Sequence, residues 1–381
     1  MLKKNTAVLL LTLFILILTG CGYAAPEKAV RQELELIRKL DESTIKNFVS
    51  YEDIRLSNSA PLEVGDEATE AIKLFFKNFQ YRIRSSKVSE DETTAVVEVT
   101  VTNLDAEKLA KDLCRSMISY SINQEGAGNQ DTLASSFALM KECLENNTYP
   151  QKSTSATVHL TNENGTWVIQ ESAQLEDELA GGLVSYLRDP YLLTPDEVLS
   201  YTLEPFAGFT AQEWLTYLNL SDIFNTGSSL SGEIDLAVAE NIANFFDYEV
   251  GKVTQDGDSA LAEVTISSFD LPGVLSQCSE ALLAYAKTTE SIRATDAQLS
   301  QKTAELLLEA LQNNDSSVSQ TITVSLANNG YTWEVLLNDV FADALLGGID
   351  TALETLGSSD AGAADSPTEE SAAPDTEIPL S

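Results

Sequence analysis

The feature that most constrains this chain is that its body is written twice. Lys87-Val88-Ser89-Glu90-Asp91 and Ala95 to Val99 return as Lys252-Val253-Thr254-Gln255-Asp256 and Ala260 to Val264, at an offset of 165. Asp105 meets Asp270 at the same offset. Val158, Leu160, Thr166, Trp167 and Gly181-Gly182 meet Val324, Leu326, Thr332, Trp333 and Gly347-Gly348 at 166. Nearer the start, Asp53-Ile54 meets Asp222-Ile223 at 169. A period of this length is domain-sized, so each copy can bury its own core and the repeat is no solenoid unit. The copies are expected at 27–187 and 194–355. The junction Leu187 to Leu193 is short and half apolar, which predicts packed domains and no free linker.

Within a copy the periodicities change in a fixed order. Val30, Leu34 and Ile37 share one helical face in a segment read from Pro26 to Val49. In the second copy Thr194-Pro195-Asp196-Glu197 reads as a helix start, with Pro205 as its stop; Thr210 and Glu213 then have capping-box spacing before Trp214. A helix ending near Phe75-Phe76 precedes strands over Tyr81–Lys87 and Ala95–Thr102, joined by a polar turn. Asp105 and Asp270 read as N-caps. Leu109, Leu113 and Met117 form one helical stripe; Leu133, Phe137, Met140 and Leu144 form a second. Strands over Ser155–Thr161 and Thr166–Gln170 flank Asn164-Gly165, a strong hairpin signal. An amphipathic segment, Leu175 to Leu187, closes the copy. The predicted class is α+β: an antiparallel sheet with helices on one face, twice over. After Gly357 the composition shifts to Ser, Ala, Asp, Glu, Pro and Thr, and 358–381 is expected to be a disordered acidic tail.

Charge and side-chain stock narrow the function classes. Asp and Glu total 59 against 23 Lys and Arg, a formal net charge of −36. Such a surface repels phosphate, which argues against a nucleic-acid partner. The single histidine, His159, falls on the solvent side of a strand pattern and is expected to be an ordinary surface residue. No C-x-x-C pair occurs among Cys21, Cys114, Cys143 and Cys278, so neither a metal site nor a cofactor is expected. Asp256 and Asp258 suit a hairpin turn better than a calcium loop, whose full motif is missing. Cys114 and Cys143 sit on successive helices of the first copy. They are either a disulfide, allowed outside the cell, or buried free thiols. The second copy has Cys278 near the place of Cys114 and Ala310 where Cys143 would be, so it cannot mirror such a bond.

The N-terminus adds a location. Lys3 and Lys4 precede an apolar run from Ala7 to Leu18, too short to span a ~30 Å hydrocarbon core. Leu18-Thr19-Gly20-Cys21 closes it and resembles the bacterial lipobox. That resemblance implies a signal peptide over 1–20, cleavage before Cys21, and diacylglycerol on its thiol. The protein would then be tethered at the extracellular face of the cell membrane through Cys21.

The polar-turn hairpins end in Gly165-Thr166-Trp167-Val168 and Gly330-Tyr331-Thr332-Trp333-Glu334-Val335. With the lipobox, these resemble Gram-positive lipoproteins of unknown function with nuclear-transport-factor-like or cystatin-like cone domains. The chain departs from that pattern by inserting two helices, about 105–146, between the strand pairs. Members of this shape include ketosteroid-isomerase-like enzymes, but no residue here matches their catalytic positions. The function expected is a non-catalytic binding or interaction module with an envelope protein as partner. The alternative is small-ligand capture or sensing in a cone pocket, for which Phe75, Phe76, Tyr81, Trp214, Phe245 and Phe246 are candidate lining.

Overall fold

The structure is a computed structural model and describes residues 25–40, 66–124, 133–219 and 228–349. Cys21, the leader and the acidic tail lie outside the described residues. The first helix, expected to run to Val49, ends at Arg38, where Lys39 caps it and its backbone N–H bonds back to Glu35, Leu36 and Ile37. Among the described residues no helix is long and apolar enough to cross a membrane.

The first half opens with α1 (Pro26–Arg38) and α2 (Asp66–Phe76). Strands β1 (Gln80–Val88) and β2 (Thr94–Leu104) follow, then α3 (Ala106–Gln124) and α4 (Leu133–Asn146). Strands β3 (Gln151–Glu163) and β4 (Thr166–Ile169) precede α5 (Ala173–Leu179) and α6 (Leu183–Arg188). The second half follows a similar order, with one more helix before its sheet and one fewer after it among the described residues. It has α7 (Pro195–Leu203) with a 3₁₀ turn (Glu204–Gly208), α8 (Ala211–Leu218) and α9 (Ser231–Phe245). After these come β5 (Asp247–Asp256), β6 (Ser259–Phe269), α10 (Leu271–Ala286), α11 (Asp296–Gln312), β7 (Ser317–Asn328), β8 (Trp333–Leu336) and α12 (Asp339–Leu345). Two four-stranded sheets result, ordered β1-β2-β3-β4 and β5-β6-β7-β8. The class is α+β, in keeping with two tandem domains.

Alternation along β2 explains why each sheet is covered on one face. Ala95, Val97, Val99, Val101 and Asn103 are buried, and the residues between them are not. On the other face short hydroxyls bond across strands, as Thr102 does to Ser153 at 2.7 Å, Thr265 to Thr321 at 3.0 Å and Ser267 to Ser319 at 2.9 Å. Such pairs suit a solvent-facing sheet surface. His159 is exposed between buried Val158 and Leu160. The core faces carry aromatic packing: Phe75 meets Phe76 edge-on at 4.8 Å, and Trp214 meets Phe246 at 5.4 Å. Phe75, Phe76 and Trp214 are thus core residues, with 4 % exposure or less.

Two further local expectations are revised. The closing segment 175–187 is two helices and not one, because Gly181 and Gly182 take φ of +70° and +85° and turn the chain between them. Strand β3 begins at Gln151, four residues early, because Gln151–Thr154 pair with Val101–Leu104 at the far end of β2.

Packing divides the chain into two compact units that are a different partition from the sequence repeats. Unit 1 takes residues up to Phe209 together with Tyr248–Val264 and Thr323–Leu337. Unit 2 takes Thr210–Asp247, Thr265–Ile322 and the residues from Asn338. Within unit 1, α1 packs on β1, β2 and β4, while α7 packs on β8 and on α3. Within unit 2, α10 packs on α11, which also packs on α9.

Candidate functional site

The helix pair inserted into each repeat carries most of the chemistry. In the first repeat Leu109 and Leu113 turn inward on α3 and Lys111 and Arg115 turn outward. That outward face is covered by α7 and the 3₁₀ turn. Lys111 Nζ reaches Glu197 Oε1 at 3.4 Å. The Arg115 guanidinium donates to both carboxylate oxygens of Glu204, with Nε at 3.2 Å, and lies 5.2 Å from the centre of the Tyr201 ring. Bidentate pairing and ring stacking are the two contacts arginine makes better than lysine. Glu204 holds the Arg115 charge, raising its pKa further. The covering segment is well started: Thr194 and Glu197 form a capping box, with Pro195 at the first turn.

Beside this contact lies a cleft of about 370 Å³ lined by Asp112, Arg115, Ser116, Asn147, Glu204 and Pro205. Its chemistry is tied up internally. Tyr149 donates to Asp112 Oδ2 at 2.8 Å, and burial followed by that bond raises the phenol pKa strongly. Cys114 and Cys143 come together here, one on each helix, as buried free thiols. Burial pushes the Cys114 thiol up to about 12, with a smaller push from Cys143. The Cys143 thiol is also raised by burial, and the Ser116 hydroxyl lies 3.4 Å from its sulfur. Thiols raised in this way are poor nucleophiles at neutral pH. Cys278, on α10, is buried and raised for the same reason.

The second repeat has a larger cleft, about 640 Å³, between α10 and α11, lined by Tyr285, Glu290, Arg293, Gln298, Lys302 and Glu305. Lys302 pairs with Glu305 at 3.1 Å and sits 5.9 Å from the Tyr285 ring centre. Hydrophobic side chains around this helix pair stand in water: Leu283 is 61 % exposed, Ile292 80 % and Leu299 38 %.

Elsewhere the carboxylates serve local structure. Asp91 accepts from Ser89 at 2.6 Å and from the Thr93 hydroxyl at 2.8 Å, and these bonds lower its pKa. Asp258 accepts from the Tyr191 hydroxyl, so it is engaged within unit 1. Asp270 caps α10 by accepting from Gly273 N at 2.9 Å. Asp105 holds the matching place before α3, but its carboxylate lies 3.5 Å from Lys152 Nζ. Buried polar side chains of unit 1 without full satisfaction include Asn103 and Glu176. Asn103 is 2 % exposed with neither amide atom bonded, and Glu176 is 5 % exposed with one carboxylate oxygen unbonded. Burial, with Glu171 adding repulsion, pushes Glu176 up to about 7. Among the described residues no group of three His, Cys, Asp or Glu is placed to hold a metal ion.

Neither a protein-family model nor a curated protein matches the chain. Among solved structures, a candidate lipoprotein of Bacillus subtilis, ycdA, aligns over 71 % of this chain and 96 % of its own, at 11 % identity and a TM-score of 0.27. A likeness that low carries no argument about this chain.

The face of α3 and the cleft between α10 and α11 were not legible as sites in the sequence. Lys111 and Glu197 are 86 residues apart, and nothing local pairs them. The usable signal was Leu283, which helical spacing places away from the buried face of Leu271, Val274 and Cys278.

Proposed function

We propose that this chain is an exported lipoprotein, cleaved before Cys21 and tethered by lipid on that cysteine to the extracellular face of the cell membrane. It works there as a non-catalytic interaction module built from two α+β repeats, 27–187 and 194–355. The observation that carries the tether is Leu18-Thr19-Gly20-Cys21 standing directly after an apolar run with a lysine start. Two acyl chains anchor stably where one does not. The interaction reading is supported by Leu283, Ile292 and Leu299, three large apolar side chains that stand in water on and between the helices of one pair. It is supported too by the polar groups around Asp112, whose hydrogen bonds and raised pKa values suit structure better than proton or group transfer.

Cys21→Ser tests the tether. The expected outcome is loss of the protein from the membrane fraction and of the added acyl mass; unchanged membrane retention would refute it. Gentle crosslinking in intact cells tests the module, and repeated recovery of the chain with nothing attached would count against it. Small-ligand capture has one observation in its favour, the 640 Å³ cleft with its mixed charged and aromatic lining. A ligand that protects the folded chain and is displaced by Lys302→Glu would select that reading.

A further inference from the structure

Equivalent helices in the two repeats differ in what covers them. At the offset of 165, inward Leu109 and Leu113 of α3 correspond to inward Val274 and Cys278 of α10, which fixes the register. The outward residues Lys111, Arg115, Ile118 and Ile122 then correspond to Ser276, Glu280, Leu283 and Lys287. On α3 this face lies under α7 and the 3₁₀ turn, and Ile118 is 9 % exposed. On α10 every one of the four corresponding residues is exposed.

The segment that covers α3 also has its counterpart. Helix α7 matches α1 at an offset of 169, Pro195 to Pro26, and the inward positions of both are buried: Pro195, Val198, Leu199, Thr202 and Leu203 against Pro26, Ala29, Val30, Glu33 and Leu34. The outward face of α7 is acidic, through Glu197 and Glu204, and meets basic residues on α3. The outward face of α1 places Lys28 at the position of Glu197, Gln32 at Tyr201 and Leu36 at Pro205, with Arg31 beside Gln32. All four are exposed, Leu36 at 39 %. Glu35 holds the position of Glu204, but its charge is already met by its own neighbours. Arg38 reaches it at 2.7 Å, Lys39 at 3.7 Å and the Tyr81 hydroxyl at 2.8 Å. Arg38 and Lys39 themselves stand out in water. Basic α3 meets acidic α7 inside the chain, whereas the α10 face carries Glu280 and Lys287 and the exposed side of α1 offers Lys28, Arg31, Arg38 and Lys39 against Glu27 and Glu35.

We infer that the open face of α10 is a docking surface for a second copy of this chain, which seats its α1 there as α7 is seated on α3. This rests on the interaction-module reading and names its partner. In that seating Glu280, which stands where Arg115 stands, comes to the end of α1 where Arg38 lies over Glu35. Leu36 and Leu283 supply the apolar part of the contact. The contact is heterologous, since the two faces lie on different helices, and it can propagate from copy to copy. It is local: a chain of net charge −36 repels its own kind, so association needs the basic side of α1 to face an acidic position. Tethering would raise the effective concentration, so a weak solution affinity would suffice at the membrane.

The test is sedimentation velocity on the full chain in detergent micelles over a hundredfold concentration range. Concentration-dependent association is expected, weakened at high salt. Leu283→Asp should weaken it at least tenfold; since that side chain is mostly in water, the fold should be unaffected. Arg38→Glu and Glu280→Arg should each weaken it two- to fivefold, and the double variant should recover at least half the loss. A chain that stays monomeric throughout, or associates without regard to these three substitutions, overturns the proposal. So does a result in which Arg38→Glu leaves self-association intact and instead weakens binding to vesicles containing phosphatidylglycerol, which would assign the α1 face to lipid. Crosslinking of position 283 in cells to a different envelope protein, with the purified chain monomeric, would refute self-docking while leaving the interaction-module reading intact.

Discussion

Helices α3 and α10 hold the same place in successive repeats, yet one is roofed and the other bare. The roof over α3 is the opening helix of the next repeat. The counterpart face of α10 keeps an apolar residue, Leu283, in water. Here Lys111 and Arg115 were exchanged for Ser276 and Glu280, but Ile118 was exchanged for another large apolar side chain. The difference shows that matching helices in the two repeats can keep the same inward residues while their outward faces diverge in charge and in cover.

The sharpest way to break the equivalence of the repeats is at their matching glycines. A Cβ on Gly347 would collide with the Phe269 carbonyl oxygen, whereas one on Gly181 would stand 3.5 Å from the Ala106 Cβ, an ordinary contact. Both take φ of +70°. Gly347→Ala should cost about 3 kcal/mol or more, because backbone must move; Gly181→Ala should cost about 1 kcal/mol from its left-handed conformation alone. Urea midpoints of the two variants measure the gap, and equal costs would mean that the two closing turns are the same.

Glu176 gives the next largest effect. Its place in the second repeat is Ala342, so the buried carboxyl is peculiar to the first. Its folded pKa of about 7 lies above the ordinary 4.5. The protonated form fits the fold, so its contribution is whole below about pH 4.5 and is lost as pH rises through 7. Each tenfold difference in proton affinity between folded and unfolded chain is worth about 1.4 kcal/mol, so the full loss is about 3 kcal/mol. Glu176→Gln should therefore stabilise the protein by roughly 1–3 kcal/mol at about pH 8.5 and change little at about pH 4.5. A stability difference that does not vary with pH would remove the assignment.

The smallest difference sharpens the comparison at the helix starts. Asp270→Ala removes a side-chain cap and should cost about 1 kcal/mol. Asp105→Ala removes no such bond and should cost less than half as much, because a partly exposed pairing with Lys152 contributes little. Thermal midpoints read both, and an equal cost would show that Asp105 caps α3 in solution.

What was legible in the sequence was local. The Asn164-Gly165 turn sits in the left-handed region at both residues, the helix start at Thr194 forms, and the capping box at Thr210 forms as its spacing implies. The α+β class followed from periods of 2 and 3.6 alternating along each copy. The early start of β3 was hidden, because Gln151–Thr154 have no strong strand pattern and are ordered by pairing with β2. The break at Gly181-Gly182 was available and was overridden by the apolar spacing on either side. The covered face of α3 was out of reach for a different reason. A lysine, an arginine and two glutamates become a contact only when 86 to 89 residues of chain are folded between them. Asp258 is similar: its place in an acidic turn was visible, and its bond to Tyr191, 67 residues away, was not.

The partition into packed units has a consequence for how such a chain can be taken apart. The chain passes from one unit to the other at 209/210, 247/248, 264/265, 322/323 and 337/338. A single protease scission therefore releases neither unit whole, and a recombination event that exchanged the second sequence repeat, 194–355, would carry pieces of both, whereas the first repeat, 27–187, falls inside unit 1. The gene doubled along one boundary, and the polypeptide settled along another.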